Sequence, residues 1–166
     1  MPDVTIIESN LEFVFDADRV FLPEREDFYK KFQGVKICDM IYLRQDDRLL
    51  IMEVKSSSPQ NLQAYVKEIR QKFNDSLLIY AATWAKRSNT QTNSLPELLQ
   101  TADALQRKIQ LVLIVKNLQR AHLPPLQNKL RKECKSLTSL FSLEQTLVFN
   151  VAYASQKLGL TINDIA

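Results

Sequence analysis

Val35-Lys36-Ile37-Cys38-Asp39-Met40-Ile41-Tyr42-Leu43 and, after a polar turn, Leu49-Leu50-Ile51-Met52-Glu53-Val54-Lys55 are the stretches that decide the fold. The second is an apolar run closed by a carboxylate and an ammonium. A run so rich in Leu, Ile, Met and Val reads as a strand covered on both faces, where an unpaired charge is costly to desolvate. Side chains alternate along a strand, so Glu53 and Lys55 project to one face and Met52 and Val54 to the other. The two charges therefore share a site. The first stretch reads as a strand over 35–43, and the turn around Gln45-Asp46-Asp47-Arg48 joins the two as a hairpin. In that pairing Asp39 comes beside Glu53, giving two hard oxygen ligands next to a cation, as Mg²⁺ sites for phosphate substrates require.

Outward from the hairpin, Ser56 to Gln60 is a polar stop that ends a strand and opens a helix. Leu62, Val66, Ile69, Phe73, Leu77, Tyr80 and Trp84 recur at spacings of three and four, which predicts a long helix reaching about Lys86. Gln63, Lys67, Arg70, Gln71 and Lys72 fall on its other faces, as a solvated surface or as phosphate contacts. A polar loop over 88–94 leads to a shorter helix over 95–107 and a buried strand over 109–115. A helix over 123–142 opens on Pro124 and Pro125, and a last strand over 146–151 precedes a short polar tail. Upstream, Pro23 to Phe32 predicts a helix with acids in its first turn and lysines in its last, ahead of Gly34. Strands interleaved with helices in one chain of 166 residues predict an α/β fold. It is a single domain over 1–166 with a central mixed β-sheet flanked by helices.

An acid, a spacer, then Glu-x-Lys is the pattern of Asp39 and Glu53-Val54-Lys55, and it resembles the motif of the PD-(D/E)xK nuclease superfamily, the restriction-endonuclease-like fold. Cys38 stands where many members have Pro. With the flanking helices and a later strand, the resemblance spans roughly residues 20 to 117. It implies a metal-dependent nuclease that hydrolyses phosphodiester bonds of DNA, as an endo- or exonuclease. Asp39, Glu53 and the Val54 carbonyl would hold Mg²⁺ or Mn²⁺, and Lys55 would assist the attacking water. Members often add an acid from an upstream helix, a role that falls to Glu26. Arg is a poor substitute for Lys55, because a guanidinium spreads its charge over a plane and never releases its proton. With no separate DNA-reading domain, such a nuclease gains specificity as a homodimer, in a larger complex or from a structured substrate.

The net charge is only +3, but it is unevenly placed. Residues 1–53 hold seven Lys or Arg against twelve Asp or Glu, and residues 54–166 hold fifteen against seven. Lys116, Arg120 and the group Lys129, Arg131, Lys132 and Lys135 are the candidate nucleic-acid contacts, with a solvated helix face as the plainer explanation of that group. A single histidine, His122, excludes a two-histidine ribonuclease site within the chain. There is no phosphate-binding Gly-rich loop and no Gly-x-Ser-x-Gly elbow. Cys38 and Cys134 form no Cys-x-x-Cys unit, which argues against structural zinc and a disulfide scaffold. No apolar stretch approaches the ~20 residues that span a bilayer, and the N-terminus lacks a secretion signal, so a cytoplasmic protein without membrane partners is expected. Tyr65, Tyr80 and Trp84 sit at core spacing, which disfavours an exposed platform for stacking bases. Beside the nuclease stand two other readings. One is a catalytically inactive subunit of the same fold that binds nucleic acid or a protein partner. The other is an unrelated α/β interaction domain in which Glu53 and Lys55 pair by coincidence.

Overall fold

Alternating polar and apolar residues open the chain, and they fold as an antiparallel hairpin of β1 (Asp3–Glu8) and β2 (Leu11–Asp16), turned by Ser9 and Asn10 at positive φ. The computed structural model describes residues 2–25, 32–87 and 95–165. Next comes an antiparallel meander of β3 (Val20–Phe21), β4 (Met40–Leu43) and β5 (Leu49–Lys55). Helix α1 (Leu62–Trp84) carries the chain to β6 (Ile109–Val115), parallel to β5. Helix α2 (Leu123–Leu140) then leads to β7 (Leu147–Phe149), parallel to β6. Helix α3 (Val151–Leu158) delivers β8 (Thr161–Asp164) antiparallel to β2. The result is an α/β molecule with a mixed five-stranded sheet, β3-β4-β5-β6-β7, and an antiparallel three-stranded sheet, β1-β2-β8.

The larger sheet is buried on both faces, which is why its central strands read as unbroken apolar runs. Leu49 and Ile51 pack with Val66, Ile69 and Phe73 of α1 and with Leu126, Leu130 and Leu137 of α2. Leu50, Met52 and Val54 point the other way, onto Leu11, Phe13 and Phe15 of β2 and Leu158 of α3. All seven residues of β6 are buried. Among the described residues no helix is long and apolar enough to cross a membrane.

Three expectations about the elements need correction, and each has a backbone cause. The strand expected over 35–43 begins only at Met40, because the amides ahead of it are taken by α1: Lys36 N–H donates to Asp75 and Cys38 N–H to the Ser76 hydroxyl. The helix expected over 95–107 is two short 3₁₀ turns, Glu97–Leu99 and Ala104–Gln106. There the carbonyls of Leu98 and Leu99 accept from Arg107 and Tyr80 instead of from helical amides, and that of Thr101 is shared between Trp84 and the Ala104 amide of the 3₁₀ turn. The polar tail is ordered as α3 and β8. Asn150 caps α3 by accepting from Tyr153 N–H, and Gly159 ends it in the left-handed conformation at φ 64°. Of the helix expected from Pro23 to Phe32, residues 23–25 form a 3₁₀ turn, and residues 26–31 lie outside the described residues.

Candidate functional site

Glu53 leaves β5 on the face toward α1, and its side chain is 1% exposed. Its Oε1 accepts from Lys72 Nζ at 2.7 Å and lies 3.1 Å from Lys55 Nζ. Lys55 also lies 3.5 Å from Glu68. Tyr65, Glu68 and Lys72 occupy one face of α1 by helical spacing, so a single helix face delivers Glu68 and Lys72 to the end of β5. Burial pushes the Glu53 carboxyl up, against the opposing pull of Lys72 and Lys55. Burial alone would lower the Lys72 ammonium, but the charge and hydrogen bond of Glu53, with the charges of Asp39 and Cys38, together outweigh it and raise the group above its ordinary value. Glu53 Oε2 is buried with no hydrogen-bond partner. A carboxylate oxygen in that position has lost its water and received nothing in return.

Asp39 sits just ahead of β4, and its Oδ2 accepts from Val54 N–H at 2.6 Å. That bond replaces the ladder bond a strand residue would make, and it holds the carboxylate over the end of β5. Burial, then the charge of Glu53, pushes the Asp39 carboxyl up to about 8, with the Val54 N–H working in the opposite direction. Two further acids close on it. Glu8 at the end of β1, Glu24 in the 3₁₀ turn Pro23–Arg25 and Asp39 offer oxygens within 4.8 Å of one another. The β1–β2 turn is fastened there: Ser9 Oγ donates to the Val54 carbonyl at 3.3 Å, and Lys116 Nζ donates to the Asn10 carbonyl at 3.1 Å.

These donors fit a divalent cation. They are all carboxylate oxygens, the set that suits Mg²⁺, Mn²⁺ or Ca²⁺, and none is a soft sulfur or imidazole ligand. After burial, the charges of Glu53 and Glu8 push the Asp39 carboxyl up, and a bound cation would relieve that crowding. Glu53 Oε2, without a hydrogen-bond donor although Lys72 and Lys55 hold Oε1, is a further oxygen open to a cation.

Of the residues picked out in the sequence, Asp39, Glu53 and Lys55 come together at the C-terminal end of β5. The Val54 carbonyl accepts from Ser9, while its amide serves Asp39. Glu26 lies outside the described residues. Glu8, Glu24 and Lys72 join the site although the sequence favoured none of them. Each reads as an ordinary surface charge within its own element, and the signal lies in tertiary placement. Lys116 is tied to Asp164 at 2.6 Å as well as to Asn10. Arg120 is hydrogen-bonded to the Tyr153 hydroxyl and stacked over its ring at 5.5 Å. Arg131 donates to the Thr146 carbonyl at 2.9 Å. Lys132 and Lys135 are exposed on α2, and Lys129 is half-buried. Comparison of the chain with family models, with curated proteins and with solved structures finds no match.

Proposed function

We propose that this protein is a divalent-metal-dependent nuclease of the PD-(D/E)xK type that hydrolyses phosphodiester bonds of DNA. The observation that carries the proposal is a fully buried carboxylate, Glu53, with one oxygen unpartnered, set beside the crowded Asp39 and the ammonium of Lys55. Asp39, with Glu8 and Glu24 around it and Glu53 adjacent, would hold Mg²⁺ or Mn²⁺. When bound, the cation supplies Lewis-acid polarisation of the phosphate and a water of lowered pKa.

The protein's own groups divide the rest of the work. Lys55, partly open to solvent, stabilises the negative charge that builds on the phosphorane and orients the attacking water by hydrogen bonding. Lys72 is a positioning residue: by fixing Glu53 Oε1 it turns Oε2 into a defined ligand. Placement at the C-terminal ends of parallel strands also supports the proposal, since open α/β sheets bind ligands there. One site cuts one strand, so a double-strand cut takes a second copy of the chain or a second encounter.

A second reading has its own observation. Two ammoniums already neutralise Glu53 Oε1, and a closed ion cluster of that kind is stable without catalysis, as in an inactive subunit that binds nucleic acid or a protein partner. The test is cleavage of supercoiled, linear, branched and single-stranded DNA, and of RNA, with Mg²⁺ or Mn²⁺, comparing the intact protein with Lys55→Ala. The expected result is metal-dependent cleavage that falls by about a hundredfold or more in the variant. Folded protein that binds the cation and cuts nothing would favour the inactive subunit.

A further inference from the structure

The parallel strands β5, β6 and β7 all end at the same edge of the molecule, and the register aligns Lys55 with Val115 and Ile114 with Phe149. Arg120 comes after the end of β6 in a 3₁₀ turn, and Tyr153 comes after the end of β7 in the first turn of α3. Both therefore lie on the same end of the sheet as Lys55. Strands are ~4.8 Å apart, so β7 stands about 10 Å from β5, a separation that one or two nucleotides of a polynucleotide bridge.

Between α2 and α3, at the β7 edge, a cavity of about 300 Å³ is walled by Leu123, Pro124, Val148 and Phe149 together with Arg120 and Tyr153. A second cavity of about 390 Å³ shares Arg120 and Tyr153 and adds Asn150 and Gln156. Arg120 is exposed, and it is the one charge among the described residues lining the two cavities. Gln127 accepts from Val148 N–H through Oε1 and lines the first cavity, so its amide NH₂ is a donor at the cavity wall.

We infer that the Arg120–Tyr153 pair and its cavity take an unpaired nucleobase of the polynucleotide whose phosphate lies at Lys55. The volume suits a single ring system, near the lower end for ligand sites. The apolar walls and the Tyr153 ring accept the flat face of a base, Gln127 hydrogen-bonds its edge, and Arg120 serves the neighbouring phosphate. A base inside a duplex is stacked on both sides and paired along its edge, so only an unstacked nucleotide enters. The inference rests on the nuclease proposal for the course of the strand past Lys55, and it names the substrate class as single strands, frayed ends or branch points.

Fluorescence anisotropy of a labelled single strand and of the matching duplex tests it, with Mg²⁺ present and in a Lys55→Ala background so that neither is cut. Adding Tyr153→Ala is expected to weaken single-strand binding about tenfold and leave duplex binding unchanged. Tyr153→Phe, which keeps the ring and loses the hydroxyl, stays within about twofold. Arg120→Ala, at an exposed position, weakens single-strand binding and lowers its salt dependence by about one unit. Unchanged single-strand binding in Tyr153→Ala overturns the base site, as does an equal loss on both substrates in a variant that melts like its parent. If Tyr153→Ala fails to fold, Arg120→Ala decides alone, and equal single-strand binding by it overturns the site. Absence of cleavage by the unsubstituted protein with the binding pattern intact removes the nuclease proposal and leaves the base site. Cleavage by a protein whose Tyr153→Ala variant binds single strands normally does the reverse.

Discussion

Asp39 keeps its proton well past the pH at which an aspartate in an unfolded chain has lost it. Its carboxyl is raised from 3.8 to about 8 by burial and by Glu53. Between those values the native state holds a proton that the unfolded chain has released, so this group's contribution to stability is complete below about pH 4 and is lost as the pH rises toward 8. The slope is at most about 1.4 kcal/mol per pH unit for one group. Asp39→Asn keeps an acceptor for Val54 N–H and cannot ionise. Metal-free melting curves are expected to lose stability from pH 5 to pH 8 in the unsubstituted protein and much less in the variant. Added Mn²⁺ at pH 8 should raise the melting temperature of the former and not of the latter. Equal pH slopes in the two proteins would mean that the carboxyl is not held as described. At this scale the sequence was informative where charge interrupts an apolar run, at Asp39, Glu53 and Lys55. It offered Lys72 only as one of several solvated residues or phosphate contacts on α1, because a lysine on a helix is no anomaly until the fold sets Glu53 beneath it.

At the scale of elements, the buried strands and the two long helices were legible because one rule, apolar content with its period, settles each of them. The N-terminal hairpin was missed: Leu11, Phe13 and Phe15 alternate with Glu12, Val14 and Asp16, and the first set is buried, but Val14 blurs the alternation and the pairing with β1 completes it. β8 was not legible. Thr161–Asp164 is short and exposed or half-buried throughout, and only its pairing with β2 makes it a strand. The 95–107 segment has the composition of a helix, but Tyr80, Trp84 and Arg107 capture its carbonyls, an outcome no local pattern contains. Lys116 links three of these elements by holding Asn10 in the first hairpin and Asp164 in β8 from the end of β6. Lys116→Ala is therefore expected to speed amide hydrogen exchange in β8 and in the β1–β2 turn while β5 and β6 stay protected. The global loss should be below about 1 kcal/mol, because Asp164 is largely exposed. Uniform acceleration across the sheet would contradict a local clasp.

On the scale of the whole molecule, the five-stranded sheet has two cores, and the second depends on the C-terminal elements α3 and β8. Met40, Leu50, Met52, Val112 and Ile114 are covered by β2 and by Ala154, Leu158 and Leu160. Removal of residues 150–166 takes away both elements together and uncovers part of that face. The expected outcome is a species that binds a hydrophobic dye and elutes as aggregate on gel filtration. A monomeric truncated protein with the melting temperature of the full chain would show that the second core does not need its last helix.

The register of Leu11 with Asp164 joins two segments that lie far apart in sequence. A ribosome releases the N-terminal hairpin, the acids that gather at Asp39 and the whole five-stranded sheet before it releases β8. The smaller sheet can therefore close only once Asp164 has emerged. A nascent chain paused before Thr161 carries an assembled charge cluster beside a three-stranded sheet that still lacks its third strand, which makes the pairing of β8 with β2 a late step of folding.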